Sequence, residues 1–251
     1  MMKIAFIIQA RLGSTRLPRK ILLPFYKNKS ILDLLIDKLK KVADSQIILA
    51  TSTNSINDSL EDIAQKNNIL CFRGAENDVL QRFIDAAEKF QASRIIRICS
   101  DNPFLELDSI NRLIDFATKN PQYDYISFHV NNTPSIKTHY GFWTEFVTLN
   151  ALKKAISLTD EPLYHEHVTN FIYTHPEYFN YYLLDTPSEL VAHNKIRLTI
   201  DTKTDFQNAQ KIYEDLTHSN PYPTIEQIIR FLDNHPSYYQ TMEQEISKNS
   251  K

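Results

Sequence analysis

Glycine is the residue this chain most conspicuously lacks. There are three in 251 residues, Gly13, Gly74 and Gly141, where an average usage near 7% would supply about 18. Neither G-x-G-x-x-G nor G-x-x-x-x-G-K-[ST] can be written with them, which excludes two familiar nucleotide loops. Each retained glycine is expected to stand where no other residue fits. Cysteine is also scarce: Cys71 and Cys99 lie in apolar, strand-like runs without C-x-x-C spacing, which argues against a disulfide framework or a zinc site and fits a reduced, cytoplasmic setting. No apolar run approaches the roughly 18 residues of a membrane span, and the N-terminus lacks a signal-peptide pattern, so a soluble protein without a membrane partner is expected. The formal net charge is −2, so nucleic acid is not an expected partner.

One further absence is local. No Asp or Glu precedes Asp33, whereas Lys3, Arg11, Arg16, Arg19, Lys20, Lys27 and Lys29 do. The centre of this positive region is residues 9–20, QARLGSTRLPRK, directly after the apolar run at 4–8. A buried strand followed by a polar loop is the order found in open α/β sheets. Four cations, a glycine, two hydroxyls and a stiffening Pro18 make this loop a candidate phosphate cradle. Charge runs usually face water, but the position after a strand and the glycine kept in a glycine-poor chain favour the anion.

The rest of the chain supplies a frame for that loop. Residues 4–10 read as a first strand, and Ser30 reads as the N-cap of a helix whose apolar positions Ile31, Leu32, Leu35, Ile36 and Leu39 recur at helical spacing. Strands are predicted at 46–52, 69–73 and 94–99, with helices from Asn57 or Asp58 to about Lys66, at 78–90 and at 107–118. This alternation predicts a mostly parallel sheet with right-handed crossovers. Ligands in such sheets sit outside the carboxyl ends of the strands. The rule gathers the basic loop, Thr51-Ser52 and Ser100-Asp101-Asn102 at one crevice. Residues 123–194 read as an inserted mixed α+β segment walling it. Residues 195–200 (KIRLTI) predict a late strand ending at Asp201-Thr202, followed by helices near 205–216 and 225–232. Residues 243–251 are polar and expected to fray, and the whole of 1–251 reads as a single domain.

Two strand-end carboxylates, Asp101 and Asp201, suit Mg²⁺, which takes few protein oxygens and completes its shell with water and phosphate. Asp before Pro or Thr is also a common cap or turn residue. The nearby basic loop favours the metal reading, because a triphosphate there brings its metal with it. Tyr164-His165-Glu166-His167 places two histidines two apart, which diverge on a helix, so a structural or substrate-contacting role is expected over a metal site. Ser100-Asp101-Asn102 lacks the S-x-x-K and K-T-G partners of a β-lactamase, and Ser14 and Cys99 have no evident base.

The loop resembles the N-terminal signature of the cytidylyltransferases that activate acidic sugars, the group including the CMP-Kdo and acylneuraminate synthetases, and in particular the SpsF-like spore-coat polysaccharide branch. The resemblance continues through Leu49-Ala50-Thr51-Ser52, Phe72 to Phe83 (FRGAENDVLQRF), Arg97 to Pro103, Glu166-His167-Val168-Thr169 and Leu198 to Thr202, covering roughly residues 3–215. It implies a Rossmann-like nucleotide-diphospho-sugar transferase fold of the GT-A type, and a homodimer formed through 123–194. It implies that Arg11, Gly13, Ser14, Arg16 and Lys20 bind the CTP phosphates, that Thr51 approaches the base, and that Ala10 and Ser100 complete the nucleotide site. Asp101 and Asp201 would hold Mg²⁺ or Mn²⁺. Arg11, Lys20 and Asp101 would be catalytic as a sugar hydroxyl attacks the α-phosphate and pyrophosphate leaves. Trp143, Glu145, Glu166 and His167 would contact the acidic sugar acceptor. Relatives commonly carry Gly at Ser100, a small residue at Asn102, an Asp at Trp143 and an Arg at His165, so the acceptor side is where this chain departs. Three alternatives remain: a nucleotidyltransferase using another NTP, a glycosyltransferase, for which the D-x-D pair is missing, and a non-catalytic nucleotide-binding protein.

Overall fold

The computed structural model describes residues 4–43, 45–218 and 220–248. Strand β1 (Ile4–Gln9) lies at the middle of the main sheet, flanked in parallel by β4 (Gln46–Ser52) and β6 (Arg94–Cys99). Beyond β4 lies β5 (Leu70–Gly74), also parallel. Beyond β6 the sheet continues through β9 (Glu145–Thr148), β7 (Tyr125–Val130) and β10 (Tyr181–Asp185), and β8 (Thr133–Pro134) pairs with β7. Strand β9 runs antiparallel to both its neighbours. A small antiparallel hairpin, β2 (Pro24–Tyr26) with β3 (Lys29–Ser30), stands apart.

Both faces of the sheet are covered, which explains why β1 reads as a continuous apolar run. Phe6 and Ile8 enter one core and Ala5 and Ile7 the other. The first core takes α1 (Ile31–Leu39), α2 (Asp58–Lys66), α4 (Leu107–Lys119), α8 (Lys203–Thr217) and α9 (Ile225–Asp233). The second takes α3 (Val79–Lys89), α5 (Leu149–Leu158) and α7 (Asn170–Thr174). Short α6 (Pro162–Glu166) lies beside α3, and α10 (Pro236–Lys248) packs on α8. Among the described residues no helix is long and apolar enough to cross a membrane.

The expected capping of α1 is present in full. The Ser30 hydroxyl accepts from the Asp33 N–H and the Asp33 carboxylate accepts from the Ser30 N–H, an arrangement worth about 1 kcal/mol. Residues 123–194 contribute β7, β9 and β10 to the central sheet. Two expectations change. KIRLTI is not a strand. Its alternating Ile196, Leu198 and Ile200 are buried, but the Leu198 and Thr199 N–H groups donate to the His139 carbonyl, and that of Ile200 to the Asp101 carbonyl. The segment is thus sewn to two loops and joins no ladder. Residues 243–248, expected to fray, continue α10, which buries Met242 and Glu245. The remaining 249–251 lie outside the described residues.

The three glycines also divide. Gly141 has φ 72°, and a Cβ there would come within 3.2 Å of the Leu198 and Thr199 backbone, so no other residue fits. At Gly74 the nearest obstacle is the Phe72 ring at 2.6 Å. At Gly13 a Cβ would meet nothing within 4 Å, so packing does not require glycine in the basic loop.

Candidate active site

Consecutive strands leave β1 in both directions, β4 to one side and β6 to the other, so the carboxyl ends of β1 and β6 form a topological switch point. A cavity of about 760 Å³ opens there. Arg11, Gly13, Ser14, Arg16 and Lys20 from the basic loop line it, with Ser100 and Asp101 after β6, and Asp201 from the late segment.

The loop is shaped from beneath. The Leu12 N–H donates to Asn57 Oδ1 at 2.8 Å, and the Asn57 side-chain amide donates to Ser52 Oγ, also at 2.8 Å. The end of β4 and the start of α2 thereby fix the first residue of the turn. The Arg19 N–H closes the loop on the Leu12 carbonyl at 3.1 Å, with Arg19 itself at φ 58°. Lys20 then turns inward, its side chain only 13% exposed. Its ammonium donates to Asp101 Oδ2 at 3.0 Å and to the Ile200 carbonyl, and lies 3.7 Å from Asp201 Oδ1. Arg16 reaches the same Asp201 oxygen at 3.0 Å. The Asp101 and Asp201 carboxylates therefore face one point, now held by a lysine.

Asp201 is aimed by a buried arginine four residues before it. Arg197, whose side chain is wholly buried, forks onto Asp205 at 2.7 and 2.9 Å and donates to Asp201 Oδ2 at 3.0 Å. The Asp201 N–H in turn donates to Asp205. Oδ1 is left to face the cations across the cavity. Asp101 is placed by the loop after β6, which Lys38 of α1 clamps through the Pro103 and Leu105 carbonyls. Burial lowers the Lys38 pKa to about 8, against the pull of Glu106.

The other sequence-predicted residues scatter. Ala10 and Thr51 are buried and lie outside the cavity lining, and Thr51 Oγ1 has no hydrogen-bond partner among the described residues. Trp143, Glu166 and His167 line the cavity. Trp143 stacks on Phe128 and meets Tyr140 and Phe142 edge-on, so it is also part of the core. Glu166 accepts from Arg11 at 3.5 Å, an exposed contact across the cavity mouth. Glu145 does not reach the cavity. It is 1% exposed and paired with buried Arg97 at 2.6 Å, while Tyr125 and Thr169 donate to it. The paired charge, together with Cys99, more than offsets burial and keeps Arg97 protonated. His165 binds Asp78 at 2.7 Å and the Thr159 carbonyl at 3.0 Å. Burial disfavours its protonated form, but these bonds outweigh that and raise its pKa. It ties α6 to the N-cap of α3 and is structural.

Among the described residues no group of three or more His, Cys, Asp or Glu could hold a metal ion. Two hard carboxylates converging on one cation position are, however, a donor set that fits Mg²⁺ or Mn²⁺ when phosphate and water supply the remainder. Sequence reasoning missed Arg97, Arg197, Asn57 and Lys38. A signal was available for the first two: an arginine inside an otherwise apolar run must find a buried partner.

A basic loop at the switch point of a doubly covered sheet, facing the carboxylates of Asp101 and Asp201, defines a nucleotidyltransferase of the α/β class. The chain belongs to the cytidylyltransferase family: the family model of that description matches residues 5–246. It is 34% identical to the spore coat polysaccharide biosynthesis protein SpsF of Bacillus subtilis over 93% of this chain and 95% of that one. An uncharacterized protein of Methanocaldococcus jannaschii is 36% identical, covering 94% and 92%. The solved structure of a cytidylyltransferase from Leptospira borgpetersenii superposes with a TM-score of 0.83 at 28% identity, covering 96% and 98%.

Proposed function

We propose that this enzyme transfers a cytidylyl group from CTP to a hydroxyl of an acidic sugar, releasing pyrophosphate, and that the CMP-sugar feeds a surface polysaccharide or glycan. The observation that carries the reading is the convergence of Lys20, Arg16, Asp101 and Asp201 on one point of the cavity. Its naming as cytidylyl transfer follows the family.

In this reading the triphosphate lies along Arg11, Gly13, Ser14 and Arg16, whose cations neutralise its oxygens. The acceptor oxygen forms a bond to the α-phosphorus, and the bond to the bridging oxygen breaks. Pyrophosphate leaves with the electron pair, and the hydroxyl proton passes to solvent. Lys20 supports the charge that develops on the phosphates. Asp101 and Asp201 would hold Mg²⁺ or Mn²⁺, which supplies Lewis-acid charge neutralisation and orientation when bound. Ser100 stands beside the nucleotide, and Trp143, Glu166 and His167 stand on the acceptor side. A homodimer and a cytoplasmic location belong to the same proposal.

Thermal-shift profiling with CTP, UTP, GTP, ATP and dTTP, each with and without Mg²⁺, checks the nucleotide. CTP with Mg²⁺ is expected to raise Tm most, since stabilisation grows with ligand concentration over Kd. A larger shift with any other nucleotide would contradict the choice of base.

A further inference from the structure

Five cationic side chains line the cavity: Arg11, Arg16, Lys20, Arg97 and Lys137. Four of them meet a carboxylate. Arg11 meets Glu166, Arg16 meets Asp201, Lys20 meets Asp101, and Arg97 is neutralised by Glu145. No carboxylate among the described residues pairs with the Lys137 ammonium, which lies 5.9 Å from the centre of the Tyr173 ring.

Lys137 also comes from a different part of the fold. The phosphate cations stand on the loop after β1. Lys137 stands on the single turn at Ser135–Lys137, directly after β8 and so on the extension of the sheet beyond β9. That turn is held: the Thr138 N–H and hydroxyl both donate to the Ser135 carbonyl, at 3.0 and 2.6 Å, and Ser135 Oγ lies 3.3 Å from Ser127 Oγ. Beside it, Asn170 and Tyr173 of α7 line the cavity as neutral hydrogen-bonding groups. Burial, reinforced by the Glu145 charge, raises the Tyr173 pKa, so its hydroxyl remains a donor at neutral pH.

We propose that Lys137, with Asn170 and Tyr173 beside it, is the counter-charge that selects an acceptor bearing a carboxylate. The inference rests on the cytidylyltransferase reading above and assigns the sugar specificity within it. Once a triphosphate occupies the basic loop, its cations are committed, and Arg97 is spent on Glu145. Lys137 is then the charge left on the acceptor side. A neutral sugar leaves that ammonium unmatched, whereas a sugar acid gains a charge-assisted contact. Tyr173 limits the ammonium's wandering, and the hydrogen-bonded turn fixes its origin, so the contact discriminates rather than merely attracts.

The test compares wild type, Lys137→Ala and Lys137→Arg with CTP and Mg²⁺. The acceptors are 3-deoxy-octulosonic acid and N-acetylneuraminic acid, the C1 methyl ester of each, and neutral-sugar 1-phosphates. Pyrophosphate release is followed while acceptor and CTP concentrations are varied separately. Wild type is expected to turn over at least one acid with KM about tenfold or more below that of its ester. Lys137→Ala is expected to raise the KM of the acid to that of the ester, with the KM for CTP unchanged, and Lys137→Arg to restore it to within about threefold. Lys137 is exposed, so the variants are expected to melt with wild type. Turnover of an acid with the same acid-to-ester ratio in Lys137→Ala overturns the inference and leaves the cytidylyltransferase reading standing. Turnover of sugar 1-phosphates alone, or of no acid, overturns both the inference and the acidic-sugar proposal.

Discussion

Replacing Asp101 by Ala is expected to lower kcat by about a thousandfold or more while leaving the melting temperature within a few degrees of wild type. Asp101 contributes little to the core. Its side chain is about one-third exposed, and it pairs with Lys20, which keeps a second carboxylate in Asp201. Losing one partner of a half-buried pair whose lysine keeps another carboxylate and a backbone carbonyl costs roughly 1–2 kcal/mol. Activity is another matter. In the proposed reaction Asp101 is one of only two carboxylates available to a divalent ion, and charge stabilisation at the transferring phosphorus supplies several kcal/mol. The Mg²⁺ concentration needed for half-maximal residual rate is expected to rise alongside. Steady-state kinetics over a Mg²⁺ series, with circular dichroism to confirm folding, checks both parts. A variant retaining more than a tenth of wild-type kcat would remove Asp101 from the reacting centre.

The second large effect falls on stability. Glu145→Ala is expected to destabilise the fold by about 3–5 kcal/mol, because it strands the Arg97 guanidinium in the sheet interior with its charge uncompensated. Tyr125 and Thr169 lose an acceptor at the same time. For a chain of this size that corresponds to a fall in Tm of roughly 10 °C. Glu145→Gln, which keeps the shape and an acceptor oxygen but not the charge, is expected to lie between the two. Calorimetric melting of the three proteins decides it. The family resemblance assigns Glu145 to the acceptor, and that role predicts the opposite pattern: an unchanged Tm with a raised KM for the sugar.

Glu145 also shows where the sequence stops being readable. Strand β9 is four residues long and begins with a carboxylate, so neither length nor apolar alternation marks it. Its identity as an inner strand depends on Arg97, forty-eight residues away, arriving to neutralise that charge. The early strands needed no such help. Covered on both faces, β1, β4 and β6 read as largely apolar runs, interrupted in β6 by Arg97, and RIIRIC marks both bounds of its strand directly. The capping pattern at Ser30 was equally local.

The candidate site divides in the same way. The basic loop and the two aspartates are short-range features: a run of cations after a buried strand, and an Asp closing each of two apolar runs. Their convergence on Lys20 follows from topology alone. What aims them is long-range. Asn57 holds Leu12 across forty-five positions and Lys38 holds the Asp101 loop across sixty-five; neither side chain stands out in sequence from an ordinary cap or surface lysine. KIRLTI misled for a related reason. Its alternation correctly reported which side chains are buried, but periodicity says nothing about which carbonyls receive the backbone N–H groups. The exposed-looking Lys137 carries no motif, and only the cavity around it gives it a task.

The central claim is tested most directly by incubating the enzyme with CTP, Mg²⁺ and a panel of 2-keto-3-deoxy sugar acids, and reading the products by ³¹P NMR. The account predicts inorganic pyrophosphate and a CMP-sugar phosphodiester in equal amounts, dependent on the acid and absent in Asp101→Ala. Pyrophosphate without any phosphodiester, or an unchanged CTP spectrum across the whole panel, would contradict it.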